Sequence, residues 1–319
     1  VAQADAQYEA ARQDLIVRVA QAYFNILTAQ DNLEFAQAEK KAIAHQLDQA
    51  RQRYNVGLSA ITDVKEAKAS YDLAVASEIT AQNQLDTARE GLREIIGQSP
   101  ASIAPLAQVR LVSPHPQDIK RWVDTALSQN LGVLASEAAT RVAKDDVERQ
   151  RSGRYPSLDV VASHSYSDNI GAGFGSKGTD SSIGLQLSIP LYSGGAINSR
   201  TRQAADLYSE AQDNLEKQRR TTVVQTRDAY LTVEADISHV KALKQSLAST
   251  QTALEATQAG FQVGTRTIVD VLNAEQQVFG AKRDYAKARY GYILATLKLK
   301  QAAGTLNATD LDQINAWLK

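Results

Sequence analysis

The segment Arg53 to Val64, RYNVGLSAITDV, occurs a second time as Phe261 to Val271, FQVGTRTIVDV. Placing Gly57 on Gly264 sets an offset of 207 residues. With no gap, the same offset aligns Ala22-Tyr23 with Ala229-Tyr230, Asp63 with Asp270, Ala67 with Ala274, Ala74 with Ala281 and Gly97 with Gly304. An internal repeat of this length constrains architecture before any motif is considered. Each copy holds a long helical pattern, then V-G with a short polar bend, then a second helical pattern. Each is therefore a helical hairpin with V-G at its tip.

The helical patterns are long. Apolar positions run Leu15, Val19, Ala22, Ile26, Ala29, Leu33, Ala36, then Ile43, Leu47, Ala50 and Tyr54, interrupted only at Lys40. Steps alternating between four and three residues make a coiled-coil seam. No proline falls between Val1 and Ser99, so the first helix can extend to Asn55, roughly 80 Å at 1.5 Å per residue. A return helix from Ile61 to Ile96 stops at Gly97, a natural C′ residue. Pro100, Pro105, Pro114 and Pro116 mark a connector,. Two shorter helices follow, about 117–129 and 133–151. In the second repeat a helix of about 196–261 spans on the order of 95 Å. Its seam, Val233, Val240, Leu243, Leu247 and Leu254, is broken by Asp236, Thr250 and Thr257. The last long helix, 268–303, ends at Gly304 and a short tail.

Between the repeats the period changes to two. Leu158, Val160, Ala162 and Tyr166 alternate with polar residues, although Val161 and His164 break the rule; Ile183, Leu185, Leu187 and Ile189 alternate cleanly. These are strands with one apolar face, joined by a loop over 169–180 with glycines at 171, 173, 175 and 178. A lone two-stranded hairpin is barely stable. It is either a flap packed on the helices or a piece of a transmembrane barrel, apolar outward and polar inward. Long helices running directly into the strands favour the barrel, which two strands cannot close alone.

Composition removes other classes. With 35 basic and 36 acidic side chains the formal charge is −1, which gives no electrostatic case for nucleic acid. No cysteine is present, so disulfides and thiol chemistry are excluded. The N-terminus has neither a basic n-region nor an apolar h-region, so any signal peptide is expected to be already removed. No run approaches the roughly 18 apolar residues of a membrane helix; a membrane crossing must use strands. His45, His115, His164 and His239 are scattered without metal-ligand spacing,. Gly171-x-Gly-x-Gly lies away from any strand-to-helix junction, against a phosphate site. No nucleophile, base and orienting acid come together, so neither enzyme activity nor a cofactor is expected.

At the tips, Asp63 and Asp270 fall in the first turns of the return helices. An acid there interacts favourably with the helix dipole, and Thr267 makes a capping-box spacing with Asp270. The alternative is that these acids line a constriction or pair with Arg266 to hold it shut. An exposed pair is worth about 0–1 kcal/mol, weak enough for a partner to release.

AYFNIL at 22–27, QLDQARQRYNVGLSAITDV at 46–64, YPSLDV at 155–160, LSIPLYSGG at 187–195 and GFQVGTRTIVDVLNAEQ at 260–276 resemble the TolC family of outer-membrane efflux proteins. The resemblance covers essentially the whole chain. It implies a mainly α fold with a small β part, in which long antiparallel coiled-coil hairpins form a tunnel and a β-hairpin contributes to a shared barrel. It implies a homotrimer in the Gram-negative outer membrane that extends into the periplasm. A periplasmic adaptor and an inner-membrane pump of RND, ABC or MFS type dock at the helical tips, in efflux or type I secretion. Thr62, Asp63 and Arg266 match positions whose links close the periplasmic entrance. Phe261 replaces a latch tyrosine. Asp270 and Asn273 occupy the two acidic positions that ring the entrance, so a less negative and less tightly latched mouth is expected. Gly57, Leu58, Ser59, Gly264 and Thr265 are the docking tips.

Five parts follow: a tunnel hairpin at 1–98, a connector with equatorial and tunnel helices at 99–153, the β-barrel hairpin at 154–193, the second tunnel hairpin at 194–303 and an equatorial tail at 304–319. Family members carry a strand hairpin in each repeat, whereas Val1 already lies in the helix that follows the first. The sequence is therefore expected to lack roughly one hundred N-terminal residues of a longer protein, by comparison with its own second repeat. A periplasmic coiled-coil adaptor bridging pump and channel is the alternative, but it calls for compact β-rich domains flanking a single hairpin. A soluble structural coiled coil leaves the strands unexplained.

Overall fold

The computed structural model describes residues 1–98, 103–107, 109–169 and 176–318. Its elements in chain order are α1 (Ala2–Asn55), α2 (Ile61–Ile96), α3 (Ile119–Gln129), α4 (Leu131–Ser152), β1 (Ser157–Asn169), β2 (Ser176–Ser188), α5 (Ala196–Gln262), α6 (Ile268–Ala302) and α7 (Ala308–Asn315). Two units are distinct, one comprising 1–4 and 134–219 and the other 5–133 and 220–319.

In the larger unit, α1 is buried on two sides. Ala22, Ile26 and Ala29 meet Leu85 and Leu92 of α2, and nearer the bend Ile43, Leu47 and Ala50 cluster with Ala67, Ala74, Ile268 and Leu272. This is the predicted seam between Ala22 and Ala50. Its outer members depart from expectation, since Leu15 and Tyr54 are 44% and 43% exposed. A second stripe, Val17, Ala20, Phe24 and Leu27, packs on Tyr230, Val233, Ile237 and Val240 of α5 and on Ala286, Tyr290 and Ile293 of α6. One seam serves one neighbour. A helix held between neighbours needs two, and at its start the Val17 stripe replaces the Leu15 one. Ala67 is fully buried, and its small side chain lets the α2 backbone come close.

The tail is more ordered than its sequence suggested. Asn307 and Asp310 form a capping box that starts α7, and Lys300 Nζ lies 2.5 Å from Asp310 Oδ1. Gly304 has φ of 75°, and a Cβ there would lie 2.2 Å from the Gln129 carbonyl oxygen. Asn130 secures the same place, donating from Nδ2 to Ala302 O at 2.9 Å.

In the smaller unit, Arg219 pairs with Glu137 at 2.8 Å, and Thr140 Oγ1 donates to Ala211 O at 3.1 Å, fixing α4 against the first part of α5. Strands β1 and β2 are antiparallel, from Ser157↔Ser188 to Asn169↔Ser176. Each has 13 residues, so much of the expected 169–180 loop is strand. Ladder bonds between backbones do not need the apolar alternation that defines a buried face, and the polar ends pair as well as the rest. Gly178 lies in β2 opposite Ser167; glycines 171, 173 and 175 lie outside the described residues.

Candidate functional site: two hairpin tips and an exposed strand face

At the first tip, Gly57 takes φ of 77°. Gly57 N donates to Tyr54 O at 2.9 Å and Leu58 N to Arg53 O at 2.8 Å, which closes the α1 carbonyls by the left-handed glycine route. Ser59 Oγ lies 3.5 Å from Ala50 O. Thr62 and Asp63 stand in the first turn of α2, whose N-cap is Ala60 and lacks a side-chain cap.

The second tip repeats the design. Gly264 has φ of 80°, and Thr265 N and Arg266 N both donate to Gly260 O, at 2.9 and 3.2 Å. A Cβ on Gly260 would lie 2.8 Å from Arg266 Cγ. Glycine there admits the Arg266 stem against the end of α5.

Asp270 is a capping residue in this chain. Its Oδ2 accepts from Thr267 N at 2.9 Å and Thr267 Oγ1 at 3.0 Å, while Asp270 N donates to Thr267 Oγ1 at 3.2 Å. The Thr267 backbone bond, then its hydroxyl, hold the Asp270 carboxyl below its ordinary value. Asn273 is exposed one turn further. Among the described residues Arg266 makes no ion pair with Asp63, Asp270 or any other acid. Thr62, Asp63 and Arg266, which the family resemblance assigns to a latch, thus lie at hairpin tips and are not joined to one another among the described residues.

A different contact joins the tips. The Arg53 guanidinium sits over the Phe261 ring, 4.9 Å from its centroid. Behind it, Glu275 is 3% exposed and accepts from Gln46 Nε2 at 2.9 Å. A cleft of about 420 Å³ adjoins, lined by His45, Gln49, Arg53, Gln258 and Phe261 among others. Sequence reasoning missed these pairs; the only signal was a charged or amide residue at seam-adjacent positions. Val56, Leu58 and Val263 project at 69%, 70% and 77% exposure, adding two apolar residues to the predicted tip set.

The strand pair carries the second feature. Leu158↔Leu187, Val160↔Leu185, Ala162↔Ile183 and Tyr166↔Thr179 share one face; Ser157↔Ser188, Asp159↔Gln186, Ser163↔Ser182 and Ser165↔Asp180 share the other. The apolar face is uncovered, with Ile183 80% and Leu185 73% exposed. In water such a face is a liability. Facing lipid, with the polar face toward a lumen, it is the pattern of a barrel strand. No described helix is long and apolar enough to cross a membrane.

Long paired helices with an amphipathic strand hairpin define the class. A family profile described as Outer membrane efflux protein matches residues 1–98 and 122–305, and the chain belongs to that family. It is 44% identical over 322 residues to outer membrane protein TolC of Vibrio cholerae, covering 99% of this chain and 74% of that protein. It is 33% identical over 322 residues to alkaline protease secretion protein AprF of Pseudomonas aeruginosa, covering 98% and 66%. The chain thus spans about two thirds to three quarters of these relatives. The crystal structure of VceC, an outer membrane protein of Vibrio cholerae, superposes with a TM-score of 0.77 at 22% identity, covering 95% of this chain and 72% of that one. The fold class and the family resemblance are as the sequence implied.

Proposed function

We propose that this chain forms part of a trimeric outer-membrane duct through which an efflux or type I secretion machine releases its cargo. The observation that carries the reading is the uncovered apolar face of β1 and β2, backed by a polar face. Two strands cannot close a barrel, so copies of the chain and further strands must complete it. Strands of 13 residues rise about 3.3 Å each; tilted about 45° they are tall enough for an apolar band of about 25 Å. Relatives named for outer membrane efflux and for alkaline protease secretion support both kinds of machine. No chemistry is needed: the duct supplies a sealed path, and an inner-membrane pump, through a periplasmic adaptor, supplies energy.

The tips are the gate. Among the described residues Arg266, on one hairpin, makes no ion pair with Asp63 or hydrogen bond with Thr62 on the other, so in this reading their link forms between neighbouring copies. Asp270 and Asn273 border the opening, and Gly57, Leu58, Ser59, Gly264 and Thr265 present the apolar tips to the adaptor. Phe261 has no hydroxyl to add to the latch; Arg53 stacks on it instead.

Planar-bilayer recording of the full-length protein tests this reading. Arg266→Ser should raise single-channel conductance over wild type. Unchanged conductance sinks the latch, and absence of channels in both proteins sinks the duct.

A further inference from the structure

We propose that the junction between the strand pair and its flanking helices binds anionic phospholipid headgroups of the periplasmic leaflet. The inference rests on the barrel reading above. Residues 145–156 and 190–206 carry five arginines (Arg149, Arg151, Arg154, Arg200 and Arg202) against four acids, Asp145, Asp146, Glu148 and Asp206. Asp146 and Glu148 engage two of the five, and Arg154, Arg200 and Arg202 remain exposed.

The fold gathers them. The end of α4 meets the first turn of α5: a Cβ on Gly153 would lie 3.9 Å from Ile197 Cγ1. Arg154 donates to Asn198 Oδ1 at 2.5 Å, and Arg202 stands one turn beyond Asn198 on the same helix face. Arg149 and Arg151 are partly engaged by Asp146 at 2.7 Å and Glu148 at 2.9 Å. Arg154 meets a neutral amide, and Arg200 and Arg202 make no ion pair among the described residues.

Depth selects the ligand. Tyr155, Leu191 and Tyr192, exposed at 70%, 92% and 91%, flank the strand ends nearest the helices, where tyrosines belong at a membrane–water interface. Arg200 and Arg202 lie roughly 6–9 Å along α5 from its start. Arg154 precedes Tyr155, and Arg200 and Arg202 follow Tyr192, so these guanidiniums flank the interfacial tyrosines on their helix side, toward the headgroup layer of roughly 5–8 Å. A guanidinium engages a phosphate with two parallel bonds. Each basic residue at an anionic surface strengthens binding roughly fivefold.

The test is native mass spectrometry of the detergent-solubilised full-length protein, titrated with phosphatidylglycerol or phosphatidylcholine, comparing wild type with the triple variant Arg154→Gln, Arg200→Gln, Arg202→Gln. Wild type should prefer phosphatidylglycerol by tenfold or more on the fivefold-per-residue scale, and the variant should not. The corresponding Arg→Lys triple should keep most of the preference, which separates charge from misfolding. Equal affinity for both lipids in wild type overturns the lipid site and leaves the barrel standing. Binding of neither lipid overturns both. Competition by inorganic phosphate at matched concentration would make this a general anion site and overturn the lipid assignment. A variant that loses subunit association while keeping lipid preference would place the arginines against a second copy, which also overturns it.

Discussion

Glu275 is the residue whose chemistry fits its position least comfortably. It lies in the seam behind the tips at 3% exposure, and its Gln46 bond at 2.9 Å offsets only part of the cost of burying a charge. Burial raises its carboxyl above the ordinary value, while the Gln46 bond acts the other way. A carboxyl raised in the folded state holds its proton longer there than in the unfolded chain. The folded state therefore loses stability as pH climbs from the ordinary carboxylate range through the raised value, and the loss is complete above it. Glu275→Gln removes the titration and keeps an acceptor for Gln46. The variant should melt higher than wild type at neutral pH, with the gap shrinking as pH falls toward the ordinary carboxylate range. A gap that does not change with pH would assign the effect to packing. Asp270 is the opposite case: its carboxyl is held down by Thr267, and its contribution persists at neutral pH and is lost on acidification. Thr267→Ala should cost the N-terminus of α6 about 1 kcal/mol, read as faster hydrogen exchange in its first turn.

Among the elements, the strand pair makes the sharpest demand. Ile183 and Ser182 are neighbours in β2 on opposite faces, paired with Ala162 and Ser163. Lysine at Ile183 should destabilise insertion by about 2–4 kcal/mol near the bilayer midplane, whereas lysine at Ser182 enters a polar surface. Folding into lipid vesicles should separate the two variants; equal yields would contradict the outward-apolar assignment. The strands show how far the sequence carried. Alternation at Ile183, Leu185 and Leu187 located β2 and its faces, because period two is local information. The extent of the ladder was not legible, because serine and glycine pairs such as Ser167↔Gly178 carry no apolar signal. α7 was missed for a related reason: eight residues are too few for a helical period to declare itself. Gly57 and Gly264 were legible because a tip needing positive φ selects glycine. Arg53 over Phe261 and Gln46 with Glu275 were not, since each joins residues more than two hundred positions apart whose meeting depends on three helices packing together.

At the scale of the whole molecule, the repeat builds two hairpins of the same plan, and the functional proposal lies where they differ. Ser59 stands where Arg266 does, and Tyr54 where Phe261 does. Arg266 is exposed and Asp63 half-buried, so a link between them across copies is an exposed ion pair worth about 0–1 kcal/mol. One such pair would hold a mouth poorly, whereas three related by symmetry in the proposed trimer would bias it. Screening should release them: the Debye length falls from about 10 Å at 0.1 M salt to about 3 Å at 1 M. Conductance divided by bulk electrolyte conductivity should therefore rise with salt in the wild-type channel and stay nearly flat in Arg266→Ser. Phe261→Tyr, which would add a hydroxyl to the proposed latch, should lower the wild-type value at low salt and be less sensitive to screening, because a neutral hydrogen bond does not decay with the Debye length. If wild type and Arg266→Ser share one salt dependence, charge at the tips does not set the aperture. The apolar contacts of Val56, Leu58 and Val263 would then have to close it.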